Sequence, residues 1–292
     1  MERVDRLAEA LGGTLGEAVR QNAGAMTELR LRSGRPARLI RMGGSELTLE
    51  TVEAGRLRRI LDRLMENSLY AWEDELRQGY FTAAGGLRVG VCGHMSPGRD
   101  ALGSLTGIGS ACIRLPREIR GCAARILEEC MGDRPSGLLI LSPPGLGKTT
   151  LLRDLVRGLS EAGWNVGLAD ERREIAACRE GVPQLDVGAR TDVMDACPKE
   201  KSIPMLVRAC APDVIAADEI GGAGDMEAIR DAARAGAAVI ATAHAPGLRE
   251  AKRRKNLAPL IDEGVFAWAV TLGPEPGRIQ SMERIVGEVE KC

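Results

Sequence analysis

Aromatic residues are scarce in this chain of 292 residues: three Trp, two Tyr and two Phe make up 2% of it. A surface of stacking platforms for single-stranded nucleic acid is therefore not expected. An excess of either charge is missing as well. The 40 Lys and Arg balance 41 Asp and Glu, for a formal net charge of −1. Whole-molecule attraction to nucleic acid or anionic lipid is not indicated, although a local basic patch stays open. No apolar run approaches the roughly 20 residues that a membrane helix needs. The opening stretch MERVDRLAEALGG is charged and helix-patterned and lacks the apolar core of a secretory signal, so a cytoplasmic location with reduced thiols is expected. The eight cysteines (Cys92, Cys112, Cys122, Cys130, Cys178, Cys197, Cys210 and Cys292) contain no CxxC pair. Neither a disulfide framework nor a zinc site is expected from them. Histidine occurs twice, as His94 and His244, without the companions that zinc requires.

What is present is enough apolar residue (44%) for buried cores and enough charge (28%) for a hydrated surface. The length fits two domains. Residues 1–116 read as a smaller α+β domain, with a helix over 2–21 and a hairpin over 28–40 turning at Ser33 and Gly34. Helices follow over 52–66 and 68–79, then a hairpin over 79–93 turning at Gly85 and Gly86, and an edge strand within 100–115. From 117 to 292 the pattern becomes α/β, short apolar strands alternating with helices as in a parallel sheet covered on both faces. Strands are expected at 137–141, 165–169, 214–217, 238–242 and 266–272, with a last one near 278–286. Helices are expected at 119–134, 148–162, 201–210, 224–235 and 247–258.

The strongest chemical signal is Ser142, Pro143, Pro144, Gly145, Leu146, Gly147, Lys148, Thr149 and Thr150, a loop between an apolar strand and a helix. Glycines let such a loop curl its N–H groups toward phosphate oxygens, and the helix N-terminus adds its positive end. Lys148 is placed to reach β- and γ-phosphates, and Thr149 to ligate Mg²⁺. Ser142 stands where the usual motif has its first glycine. Downstream, the strand ending in Asp218 and Glu219 supplies one carboxylate for the metal and one to polarise water. His244 closes the next strand and is read as a γ-phosphate sensor. The box Asp170, Glu171, Arg172, Arg173, Glu174 adds carboxylates at the same sheet edge, for the metal and the attacking water or for capping a helix. Arg30, Arg32, Arg35, Arg88, Arg114 and Arg190 are candidates for a trans-acting contact to a neighbour's nucleotide, and spacing does not choose among them. Lys252, Arg253, Arg254 and Lys255 read as a solvated helix face.

In this order, phosphate loop, acidic box, Asp-Glu strand end and Ala-Thr-x-His, the motifs resemble the secretion ATPases of type II and type IV systems. The segments ELRLRSGRP, GLRVGVCG, SPPGLGKTTLLRD, DERREIA and GARTDVMD are similar to the stage III AA sporulation branch of that superfamily. The resemblance spans about residues 30 to 285. It implies a RecA-like P-loop NTPase core behind the N-terminal domain, ATP and Mg²⁺ as ligands, and assembly as a homo-hexamer. It also implies motor work on membrane-embedded sporulation channel proteins, from the mother-cell cytoplasm or the membrane's periphery. On it, Lys148 and Thr149 serve the phosphates and metal, Asp218 the metal, and Glu219, Glu171, Glu174 and His244 the hydrolysis. Many secretion ATPases carry glycine where Asp218 stands, and their box more often reads EDP-x-E than DERRE. The alternative class is a RecA- or helicase-like ATPase driven by nucleic acid, which the fold alone permits and the composition opposes. A ring component that binds nucleotide only to assemble is a non-enzymatic reading. A GTPase is disfavoured because the guanine-reading Asn/Thr-Lys-x-Asp motif is missing.

Overall fold

The computed structural model describes residues 2–66, 72–96, 104–116, 118–275 and 277–285. The chain divides into two compact units, Met1–Arg117 and Glu118–Cys292, each built around its own sheet.

In the first unit, helices α1 (Glu2–Leu11) and α2 (Gly13–Gln21) replace the single helix expected over 2–21. The break falls at Gly12 and Gly13, at φ of 64° and 54°, where side-chain-bearing residues are disfavoured. Strands β1 (Met26–Arg32) and β2 (Arg35–Arg41) form the expected hairpin. Strand β3 (Glu46–Val52) follows; its mixed polar composition hides it from apolar patterning. Helix α3 (Ala54–Leu64) buries Leu57, Ile60, Leu61 and Leu64 at helical spacing. The helix expected over 68–79 is seen as α4 (Glu73–Arg77), and residues 68–71 lie outside the described residues. Strands β4 (Tyr80–Ala83), β5 (Leu87–Ser96) and β6 (Ser104–Arg114) complete the unit. Among the described residues the sheet order is β3-β2-β1-β6-β5-β4, antiparallel throughout. Strand β6, expected at an edge, is therefore interior, pairing β1 on one side and β5 on the other. Residues 100–103 of that expected strand lie outside the described residues. One core joins Leu7, Leu15, Leu29, Leu31, Leu57, Ile60 and Phe81. Arg30, Arg38 and Arg114 stand exposed, with Arg30 and Arg114 both paired to Glu28 and Arg38 to Glu46.

The second unit runs α5 (Ala124–Cys130), β7 (Leu138–Leu141), α6 (Lys148–Glu161), β8 (Val166–Asp170) and β9 (Thr191–Asp195). It continues with α7 (Lys199–Cys210), β10 (Val214–Glu219), α8 (Ala223–Arg234) and β11 (Ala238–Ala243). Helices α9 (Leu248–Ala251) and α10 (Ala258–Asp262) and strands β12 (Trp268–Leu272) and β13 (Ile279–Arg284) close it. The sheet order is β13-β12-β7-β11-β10-β8-β9 among the described residues, parallel except for the β12–β13 hairpin. Consecutive apolar residues work here because alternate side chains enter different cores. Leu138 and Ile140 join one cluster with α6, and Leu139 and Leu141 join the other with α7 and α8. Strand β9 is unanticipated, and the helix expected over 119–134 is only the seven residues of α5. The helix expected over 247–258 splits, with Pro259 in the first turn of α10, and residues 252–255 form an exposed turn rather than a helix face. The connection β7–α6–β8 steps over β11 and β10, which opens a crevice at the carboxyl ends of the strands, the general ligand position in such sheets.

Candidate functional site

The loop 142–147 leaves β7 and ends on Gly147, which caps α6 in the left-handed region at φ 88°. Gly145 is at φ 79°, and a Cβ there would meet nothing within 4 Å, so this position of the loop faces open space. Ser142 does not share that backbone conformation, which is why serine is compatible where the usual motif has glycine. Pro143, Pro144 and Gly145 are exposed, and Leu146, Thr149 and Thr150 are partly buried. The Leu146 carbonyl accepts the Gly277 N–H at 2.9 Å, tying the loop to the β12–β13 turn. Lys148 is buried, and its Nζ donates to the Ser142 carbonyl (3.1 Å), Ser142 Oγ (3.2 Å) and the Pro143 carbonyl (3.2 Å). Desolvation holds its pKa below the ordinary lysine value, with Glu219 opposing.

Lys148 Nζ also lies 2.8 Å from His244 Nδ1, just beyond the end of β11. An ammonium can only donate, so Nδ1 accepts in this contact and shares the three ammonium protons with the Ser142 and Pro143 oxygens. His244 Nε2 is 3.2 Å from Glu219 Oε2, so the three side chains lie in one line of polar contacts across the ends of β7, β11 and β10. Arg172 approaches the same Glu219 oxygen at 3.8 Å. Strand β10 reaches this arrangement through a register irregularity between Ala217 and Glu219. Such bulges re-aim side chains, and here Asp218 and Glu219 meet different partners.

Asp218 meets Lys199, a residue that motif reasoning passed over. Lys199 opens α7, is 4% exposed, and its Nζ lies 2.8 Å from Asp218 Oδ1 and 2.5 Å from Glu171 Oε2. Burial raises the Asp218 pKa to about 6, with Lys199 opposing. The acidic box divides its labour. Asp170, fully buried, accepts backbone N–H bonds from Glu174 (2.9 Å), Ile175 (3.2 Å) and Ala176 (2.8 Å) and so folds the segment after β8. Arg153 of α6 donates to the carbonyls of Ile175 (2.5 Å) and Glu174 (2.6 Å). Glu171 turns to Lys199, whereas Glu174 is exposed. Arg190, one of the trans-contact candidates, donates to Asn165 Oδ1 within its own unit at 3.3 Å.

Among the described residues no group of three or more His, Cys, Asp or Glu side chains could hold a metal. That pattern still fits magnesium, which takes one or two protein oxygens and completes its shell with phosphate and water. Thr149 and Asp218, beyond β7 and on β10, supply that type of donor. No described helix is long and apolar enough to cross a membrane.

The family model described as sporulation stage III, protein AA matches residues 2–289. Stage III sporulation protein AA of Bacillus subtilis (strain 168) is 37% identical over 270 residues, covering 91% of this chain and 88% of that protein. Among solved structures, the Legionella pneumophila ATPase DotB is similar with a TM-score of 0.58 at 18% identity, over 87% of this chain and 74% of that one. The pilus retraction motor PilT with bound ADP gives a TM-score of 0.59 at 17% identity, over 87% and 76%. At these identities the likeness establishes the fold, a RecA-like α/β core preceded by an N-terminal domain.

Proposed function

The chain belongs to the sporulation stage III protein AA family, and from that membership and the site we propose that it is the ATP-hydrolysing motor subunit of a secretion-type channel complex in endospore formation. The observation that carries the reading is the chain Lys148–His244–Glu219, which joins a phosphate-loop cation to a carboxylate placed to act on water. ATP enters with its phosphates over the loop 142–147. Lys148 then exchanges the Ser142 and Pro143 carbonyls for β- and γ-phosphate oxygens. Glu219 orients the attacking water and accepts its proton, the water adds in line to the γ-phosphorus, and ADP leaves. His244 senses the γ-phosphate because any shift of Lys148 alters its Nδ1 contact and, through the ring, Glu219. Thr149 and Asp218 would hold Mg²⁺, which when bound neutralises charge on the β- and γ-oxygens. Glu171 and Glu174 complete the acidic edge.

The partners that fit this reading are other copies of the chain, in a hexamer, and membrane-embedded sporulation channel proteins reached from the mother-cell cytoplasm. A pilus retraction motor and an ATPase of the same fold support a motor over a nucleotide switch. The test is ATP turnover against protein concentration, with light-scattering mass, with and without single-stranded DNA. Turnover rising cooperatively as a ring forms, and unmoved by DNA, is expected. Turnover independent of assembly but strongly stimulated by DNA contradicts the motor and favours a nucleic-acid-driven ATPase.

A further inference from the structure

Lys199 breaks two local rules. It is a cation at the first position of a helix, where the positive end of the macrodipole opposes it, and it is an ammonium nearly removed from water. Local rules are broken mainly where a function requires it. The compensation is specific. Glu171 arrives from the turn after β8 and Asp218 from the bulged end of β10, and the two strands are neighbours in the sheet. Their carboxylates converge on one nitrogen at 2.5 and 2.8 Å. Without a cation between them these two anions repel, and Asp170 lies close enough to add to that repulsion. Glu171 Oε2 accepts a hydrogen bond from the ammonium, whereas Asp218 Oδ1 faces it as an ion pair and is a buried oxygen with no hydrogen-bond partner; both are hard donors of the kind a divalent cation takes.

We propose that Lys199 is a positioning residue that locks Glu171 and Asp218 together and keeps this carboxylate pair closed to divalent cations until nucleotide brings phosphate oxygens. The metal then enters with ATP rather than before it, and Asp218 is presented in one orientation. The inference rests on the ATPase reading for its role in turnover, but its metal arm stands independently.

The test is Mn²⁺, as a magnetic probe for Mg²⁺, titrated into the nucleotide-free full chain and followed by the loss of the free-ion EPR signal. Wild type and Lys199→Arg are expected to bind no Mn²⁺ that Asp218→Asn removes. Lys199→Met and Lys199→Gln are expected to gain one Mn²⁺ at least about tenfold tighter, and Lys199→Met combined with Asp218→Asn to lose that gain. With ATP, Lys199→Met is expected to lower kcat by about 10- to 100-fold while KM changes little, and Lys199→Arg to recover part of it. Circular dichroism separates these effects from misfolding. Folded neutral variants that gain no Mn²⁺ overturn the proposal. So does nucleotide-free wild type that binds one Mn²⁺ and loses it on Asp218→Asn, a comparison that needs no Lys199 variant to fold. Absence of ATP turnover in wild type would refute the functional reading and leave the Mn²⁺ result to decide Lys199.

Discussion

His244 stands between Lys148 and Glu219, with Nδ1 2.8 Å from the ammonium and Nε2 3.2 Å from the carboxylate. The imidazole thereby links Lys148, at the start of α6, to Glu219, at the end of β10. The link can exist because β7, β11 and β10 are consecutive in the sheet, so the residues that follow them lie side by side.

His244→Ala is expected to leave ATP affinity within a few-fold and to lower kcat by about 10²-fold, the usual scale for a misplaced general base. His244→Gln keeps an acceptor for Lys148 and a donor for Glu219 on one amide, so it should recover part of the rate. Steady-state kinetics of both variants, with nucleotide binding measured separately, checks this. A His244→Ala enzyme with wild-type kcat contradicts the relay.

Asp154 yields a pH prediction. Burial raises its carboxyl, but hydrogen bonds from Arg157 (2.6 Å), Ala123 N–H (2.8 Å) and Gly121 N–H (3.2 Å) outweigh burial and hold it below the ordinary aspartate value. A carboxylate lowered in the folded state contributes stability above its unfolded pKa and loses it as pH falls through the folded one. Asp154→Asn should therefore cost about 1–3 kcal/mol near pH 7, and that difference should shrink as the pH falls below the ordinary aspartate range. Urea unfolding of both proteins at pH 7 and pH 3 reads it directly.

The thiols divide by burial. Desolvation pushes Cys122 and Cys178 up to about 12 and Cys130 to about 11, whereas Cys92 is exposed. At pH 8 a thiol with a pKa near 12 is ionised in about one molecule in ten thousand, and the thiolate is the nucleophile. Iodoacetamide labelling followed by peptide mass spectrometry should mark Cys92 in the native protein. It should reach Cys122, Cys130 and Cys178 only after denaturant is added.

The strands that carry the site were legible because both of their faces are buried, so β7, β8, β10 and β11 read as short unbroken apolar runs. Strands β3 and β9 were not, since each leaves polar residues partly exposed and shows no apolar run. The interior place of β6 is a fact of strand order, which no local pattern contains. Within the site, the loop and the Asp218–Glu219 pair announce themselves by spacing along the chain. Lys199 does not, because its partners Glu171 and Asp218 lie on other elements and only the fold brings them to it. The one local signal it gave was a lysine opening a helix just after Pro198, against the macrodipole. Asp170 shows the converse case: it shares a motif with Glu171, yet its bonds make it a brace for the segment that follows β8.

The proposed ATPase cycle requires that Lys148 hold the nucleotide and that Glu219 drive its hydrolysis. The most direct test measures equilibrium ATP binding and hydrolysis side by side for wild type, Lys148→Ala and Glu219→Gln, at a protein concentration where all three have the same assembled mass. Lys148→Ala should bind ATP about 10- to 100-fold more weakly, the scale of losing a charged hydrogen-bond donor. Glu219→Gln should bind as wild type does and hydrolyse at least about 100-fold more slowly. Equal turnover by wild type and Glu219→Gln would mean that Glu219 does not drive hydrolysis.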